Sequence, residues 1–137
     1  NSFQVTQSGV VSTERDADNN QRQLGFYNTN GLVGTIATVN SQTNYNVSSD
    51  ARLKEHIADS AGSVDCIRDI RVRQFDWKAS GKHQDYGFIA QELVEVVPTA
   101  ASHDEEHDVW CVDNSKLVPV LVKAIQELTA RLEALEA

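Results

Sequence analysis

Methionine is absent from the 137 residues, even at position 1, which points to a chain that begins inside a longer protein. Basic residues are scarce: 12 Lys and Arg stand against 20 Asp and Glu, for a net charge of −8. That balance argues against nucleic-acid binding, where Lys and Arg must neutralise phosphates. Cysteine occurs twice, at Cys66 and Cys111, too far apart for a metal-type pair. Both are expected as reduced thiols of the core. Aromatic residues make up only 7%, so a core is expected that they do not dominate. No run reaches the roughly 18 apolar residues of a transmembrane helix, and no basic-then-apolar leader opens the chain. These absences leave one ordinary domain, or one small domain with an extension.

The two halves of the chain follow different rules. Residues 1–48 are rich in Asn, Gln, Ser, Thr and Gly. Within them, Gln21 to Val39 reads as strands around Asn30-Gly31, a pair that tolerates the positive φ of a type I′ hairpin turn. An isolated hairpin with so few large apolar side chains is marginal in water. The half is therefore either disordered or paired with other chains.

From Asp50 onward charge rises and helical periodicity begins. Leu53 and Ile57 fall on one helical face, and Ser63 is placed to cap a helix holding Val64, Ile67 and Ile70. Arg71 to Trp77 alternates as a strand, Lys78 to Gly81 turns, and Gly87 to Val97 is periodic up to Pro98. Ala101 to Asp108 reads as an acidic loop before a short strand at Val109 to Val112. Asp113 or Asn114 caps a last helix of about residues 114–136. Its Leu121, Ile125, Leu128, Leu132 and Leu135 form a heptad seam. The seam fits a coiled coil or an amphipathic helix docked on its own domain. Ile at a with Leu at d favours two strands, so the seam by itself gives no trimer. Pro119 sits late for a first-turn proline and is expected to cost a backbone bond.

Ser49 and Lys54 join the halves. A serine hydroxyl becomes a useful nucleophile when a base takes its proton, and a lysine of lowered pKa serves. Five residues along a continuous helix turn the side chains about 140° apart. The pair therefore meets only if Ser49 lies just outside the helix start or if the lysine comes from another subunit. Ser49-Asp50 before an apolar run is equally an ordinary N-cap.

The string Ser48-Ser-Asp-Ala-Arg-Leu-Lys54-Glu-His-Ile57 resembles the opening motif of the intramolecular chaperone auto-processing domain. That family includes C-terminal domains of phage endosialidase tailspikes, tail fibres and neck appendages, and the myelin regulatory factor. Ile70-Arg-Val-Arg-Gln-Phe-Asp-Trp-Lys78, Tyr86-Gly-Phe-Ile-Ala-Gln-Glu92 with Val96-Val-Pro98, and Val112 to Leu128 resemble its later motifs, in order. The resemblance covers about residues 48–137.

It implies an α+β fold: a small mixed helix and strand domain, residues 49–137, with a C-terminal coiled-coil helix. Residues 1–48 would be the remnant of a β-rich trimeric stalk of the triple-β-helix type. It implies a homotrimer acting on its own upstream stalk polypeptide, with no cofactor, metal, nucleic acid or membrane. Ser49 would be the nucleophile and Lys54 the general base of a single cut at Ser48–Ser49. Asp50, Glu55, His56, Gln91 and Glu92 are candidate supporting residues; Gln91 and Glu92 also read as a polar face packed against a neighbour, and His56 stands where the family commonly has Asn. The oxyanion donors stay open, helix-start N–H groups being natural candidates. The parent fibre would sit in a virion tail, assembled in host cytoplasm, with the domain released after cutting. A non-cleaving trimerisation domain of a fibre or adhesin is the alternative, and a transcription-factor processing module a third reading.

The remaining signals are weaker. His103, His107 and Cys111 would share a helix face, as metal ligands can, but in an acidic loop the spacing loses its meaning. Trp77 and Trp110 are expected as core or interface anchors.

Overall fold

The computed structural model describes residues 2–5, 11–14 and 21–136. The remaining parts of the expected stalk segment, residues 1, 6–10 and 15–20, lie outside the described residues, as does the last residue, 137. The chain is an α+β protein of two compact units, Asn1–Ile57 and Ala58–Ala137. Ser49 and Lys54 fall in the first, and Gln91 and Glu92 in the second.

Among the described residues the first unit is all β apart from one helical turn. Strands β1 (Ser2–Val5) and β2 (Val11–Glu14) pair antiparallel. Strands β3 (Gln21–Asn28), β4 (Gly31–Val39) and β5 (Gln42–Val47) form an antiparallel sheet in that order. The expected hairpin at Asn30-Gly31 is present with a different turn. Gly31 takes φ 92° while Asn30 keeps a negative φ, so no type I′ turn forms. The Asn28 side chain accepts the Asn30 N–H at 2.8 Å and closes the turn locally. Register places Leu24, Ile36 and Tyr45 side by side, and beside them Phe26, Gly34 and Val47. Residues paired across strands share a face, so this is one apolar face. Ile36 is half-buried; Leu24, Phe26, Tyr45 and Val47 stand exposed.

The helix expected from Asp50 does not form. Asp50 caps a single 3₁₀ turn, Ala51–Leu53, and Lys54 is already extended. A short helix in water persists only when a face of it is packed. Leu53 and Ile57 are 70% and 71% exposed, and His56 adopts φ 51°. Periodicity without a surface to bury it leaves the segment extended.

The second unit is built on helices α1 (Val64–Asp69), α2 (Ala90–Val96) and α3 (Leu117–Glu136). Two hairpins join them: β6 (Arg73–Asp76) with β7 (His83–Gly87), and β8 (Ala101–Asp104) with β9 (Val109–Val112). The core gathers Ala90, Leu93, Val97, Ala100, Ala101 and Leu117, with Cys66, Ile70 and Phe88 against it. Ser63 precedes α1 but does not cap it with its side chain. Its hydroxyl instead donates to the Val120 carbonyl and its N–H to Glu127 Oε1, fastening α1 to α3.

Several expectations in this unit need correction. Ala101 to Asp104 is a strand, because Val109–Val112 supplies its hydrogen-bonding partner across a four-residue turn. Gly87 belongs to β7 rather than to the following helix, and the Phe75 ring lies so close that a Cβ there would sit 2.6 Å from it. Pro119 is the third residue of α3, which continues directly from a 3₁₀ turn at Asn114–Lys116. Cys111 is exposed, not a core thiol, while Cys66 is half-buried; the two are not bonded to each other.

Leu93 is 2% exposed at the centre of this core. Leu93→Ala is expected to destabilise the unit by about 3 kcal/mol through lost burial and the residual cavity. Urea unfolding checks it: the midpoint should fall with the slope unchanged.

Candidate functional site

Ser49 lies just outside the helical turn, one residue before its cap. The turn then ends after three residues, and Lys54 leaves it with φ −128° and ψ 146°. This break in the helix removes the angular mismatch that five residues of continuous helix would impose. Lys54 Nζ donates to Ser49 Oγ at 2.7 Å within one chain.

The neighbouring carboxylate is engaged elsewhere. Asp50 Oδ1 accepts the Arg52 N–H at 2.9 Å, and both Asp50 oxygens bind the Arg52 guanidinium, with Nε–Oδ1 at 3.0 Å and Nη2–Oδ2 at 2.5 Å. These bonds to Arg52, side chain foremost, hold the Asp50 carboxyl below the usual range. Asp50 is thus a cap. Glu55 and His56 are exposed and point at each other loosely, at 4.0 Å. The turn supplies few free donors for an oxyanion. The Arg52 N–H is spent on Asp50 Oδ1, the Leu53 N–H on the Asp50 carbonyl and the Lys54 N–H on the Ala51 carbonyl.

Ser48 was expected only as the residue before the cut. Its N–H donates to the Val33 carbonyl at 3.0 Å, and its hydroxyl to the Leu32 carbonyl at 3.0 Å. The pairing of β5 with β4 therefore continues one residue past the strand. A serine extending a strand carries no sequence signal that separates it from any other loop serine.

In the second unit, Gln91 is exposed on α2. Glu92 is clasped by Arg73 through two bonds of 2.9 and 2.7 Å, with Arg71 at 3.6 Å. The Arg73 guanidinium holds the Glu92 carboxyl below its ordinary range. Glu92 is therefore a tie between α2 and β6. Trp77 and Trp110 are exposed rather than core. Trp77 stands edge-on to Phe75 at 5.5 Å and Trp110 stacks on His103 at 4.9 Å. His103 Nε2 meets Asp108 and His107 Nδ1 meets Asp104, each at 2.9 Å. The His103, His107 and Cys111 spacing thus lies on a hairpin, where helical periodicity does not apply.

The serine–lysine hydrogen bond thus stands at the end of the three-stranded sheet of an α+β chain. Residues 49–102 match the family model Peptidase_S74, described as the chaperone of endosialidase. The matched segment opens at Ser49 and is similar to the family that the motifs resemble. A comparison with curated proteins gave no match. No described helix is long and apolar enough to cross a membrane.

Because the Glu92 carboxyl is depressed in the fold, its pairing stabilises above the ordinary Glu pKa, and the gain is lost as pH falls through the depressed value. Glu92→Gln is expected to melt slightly below the parent at neutral pH and to converge with it in acid. An equal gap in melting temperature at both pH values would disprove that link.

Proposed function

We propose that this chain is an intramolecular chaperone that trimerises, aligns the β-stalk of a phage tail spike or fibre, and then cuts itself free between Ser48 and Ser49. The observation carrying this reading is the 2.7 Å bond between Lys54 Nζ and Ser49 Oγ, inside the segment that matches the chaperone of endosialidase. The printed family name, Peptidase_S74, supports a peptidase reading.

The reaction is an acyl shift followed by hydrolysis. Neutral Lys54 takes the Ser49 hydroxyl proton, and Oγ bonds to the carbonyl carbon of Ser48. The carbon–nitrogen bond to Ser49 breaks, and the nitrogen leaves as an α-amine carrying the proton returned by Lys54. Water then cleaves the resulting ester, giving a Ser48 carboxylate and restoring the Ser49 hydroxyl. In one chain Ser49 and Lys54 face water. Lysine acts as a base when burial disfavours its charge, and neighbouring protomers closing over the site would supply that burial.

Two exposed apolar surfaces support assembly. The α3 seam of Leu121, Ile125, Leu128, Leu132 and Leu135 is exposed along its length, as are most large side chains on the β3–β5 face. A trimeric clamp raises the effective concentration of three strands whose pairing is otherwise slow. Removing the clamp leaves a stalk held by its unfolding barrier. The parent fibre would be a virion tail component, folded in host cytoplasm.

Intact mass separates this reading from a non-cleaving trimerisation domain. The parent chain is expected to split between Ser48 and Ser49, while Ser49→Ala and Lys54→Ala stay whole. A Ser49→Ala chain cut at the same bond would eliminate Ser49 as nucleophile, and trimers of uncut parent chain would favour the structural clamp. For assembly, Ile125→Asp with Leu128→Asp should convert trimers to monomers in sedimentation equilibrium. A trimer that survives both charges would show that the seam does not hold it.

A further inference from the structure

The junction holds two adjacent serines, and their hydroxyls are committed in opposite directions. Ser49 Oγ receives the Lys54 amine at 2.7 Å. Ser48 Oγ donates away from that pair, to the Leu32 carbonyl at 3.0 Å, while its N–H donates to the Val33 carbonyl at 3.0 Å. Two consecutive carbonyls of β4 thus hold one residue by its backbone and its side chain. The register explains why the hold falls there: Gly34 pairs with Val47, so Ser48 follows directly on the last ladder pair.

We propose that Ser48 is a positioning residue for the cut: its hydroxyl and N–H lock the carbonyl that Ser49 attacks onto β4, so that the bond is presented only when β5 is paired with β4. This rests on the self-cleavage reading above and adds a sensor to it. The carbonyl of Ser48 and the hydroxyl of Ser49 are separated by few rotatable bonds, and attack needs the Oγ to approach the carbonyl face at near-bonding distance. Freedom about the Ser48 backbone spreads that geometry over many conformers. Two bonds to the neighbouring strand remove the freedom, and a misplacement of about 1 Å is enough to cost two orders of magnitude in rate. An unpaired β5 leaves the Lys54–Ser49 bond intact, because that contact is local to the turn, but leaves its target loose. The state of the sheet is thereby read at the bond that is to be broken.

The contribution of the hydroxyl is separable from strand shape. Thr keeps the hydroxyl and Val is nearly its shape without one, and both suit an extended backbone. In time courses of cell-free synthesis of the full chain, followed by intact mass, Ser48→Thr should be cut at close to the parent rate. Ser48→Val and Ser48→Ala should be slower by roughly tenfold or more, with trimer content unchanged by sedimentation. Parent-like cutting of both Ser48→Val and Ser48→Ala overturns the positioning role and leaves Ser49 and Lys54 untouched. Slow cutting of Ser48→Thr together with the others also overturns it, since side-chain size and not the hydroxyl would then matter. A parent chain that stays whole removes the self-cleavage reading, and the positioning role falls with it.

Discussion

The residues that one chain buries well are small. Alanines at 37, 90, 100, 101 and 124 make up most of the buried apolar set, with Leu93, Val97 and Leu117 the larger members. Tyr86, Trp77, Tyr45, Phe26 and the α3 leucines at 121, 128, 132 and 135 remain in contact with water. Folding is driven mainly by apolar area removed from water, and much apolar area stays exposed among the described residues. The C-terminal unit reaches a modest core by clamping α1 to α3 through Ser63 and by laying α2 against β8 and β9. On the three-stranded sheet, Leu24, Phe26, Tyr45 and Val47 stay exposed among the described residues.

The serine–lysine contact follows from a local failure of helix formation. Asp50 offers the start of a helix, the chain completes one tight turn, and the missing packed face lets it unwind at Lys54. A longer helix at this point would have carried Lys54 around to the far side. The brevity of the turn is thus the geometric reason the two groups meet, and it arises from the same shortage of burial that shapes the rest of the molecule.

Much of the second half was legible because its signals are local. Pro98 after a periodic run marks the end of α2, Asp113 marks the approach to α3, and the Lys78 to Gly81 turn stands where glycine and charge interrupt the strand. The first three ordered motifs overlap the segment that the family model matches. What the residues concealed were strands made by their partners. The acidic stretch Ala101 to Asp104 has no strand-like composition and becomes one through Val109 to Val112; β5 likewise gains its order from β4. Leu53 and Ile57 misled for the converse reason, since spacing reports a face but not whether anything is there to cover it. Ser48 was invisible as an anchor because its partners, Leu32 and Val33, contribute only backbone carbonyls, and carbonyls leave no trace in a sequence.

Arg52 has a part that the turn alone does not reveal. A bidentate guanidinium occupies both oxygens of Asp50, the carboxylate placed between Ser49 and Lys54 in the chain. The charge of the acidic cap is thus answered chiefly by the arginine within the turn it starts, and only after that by Lys54.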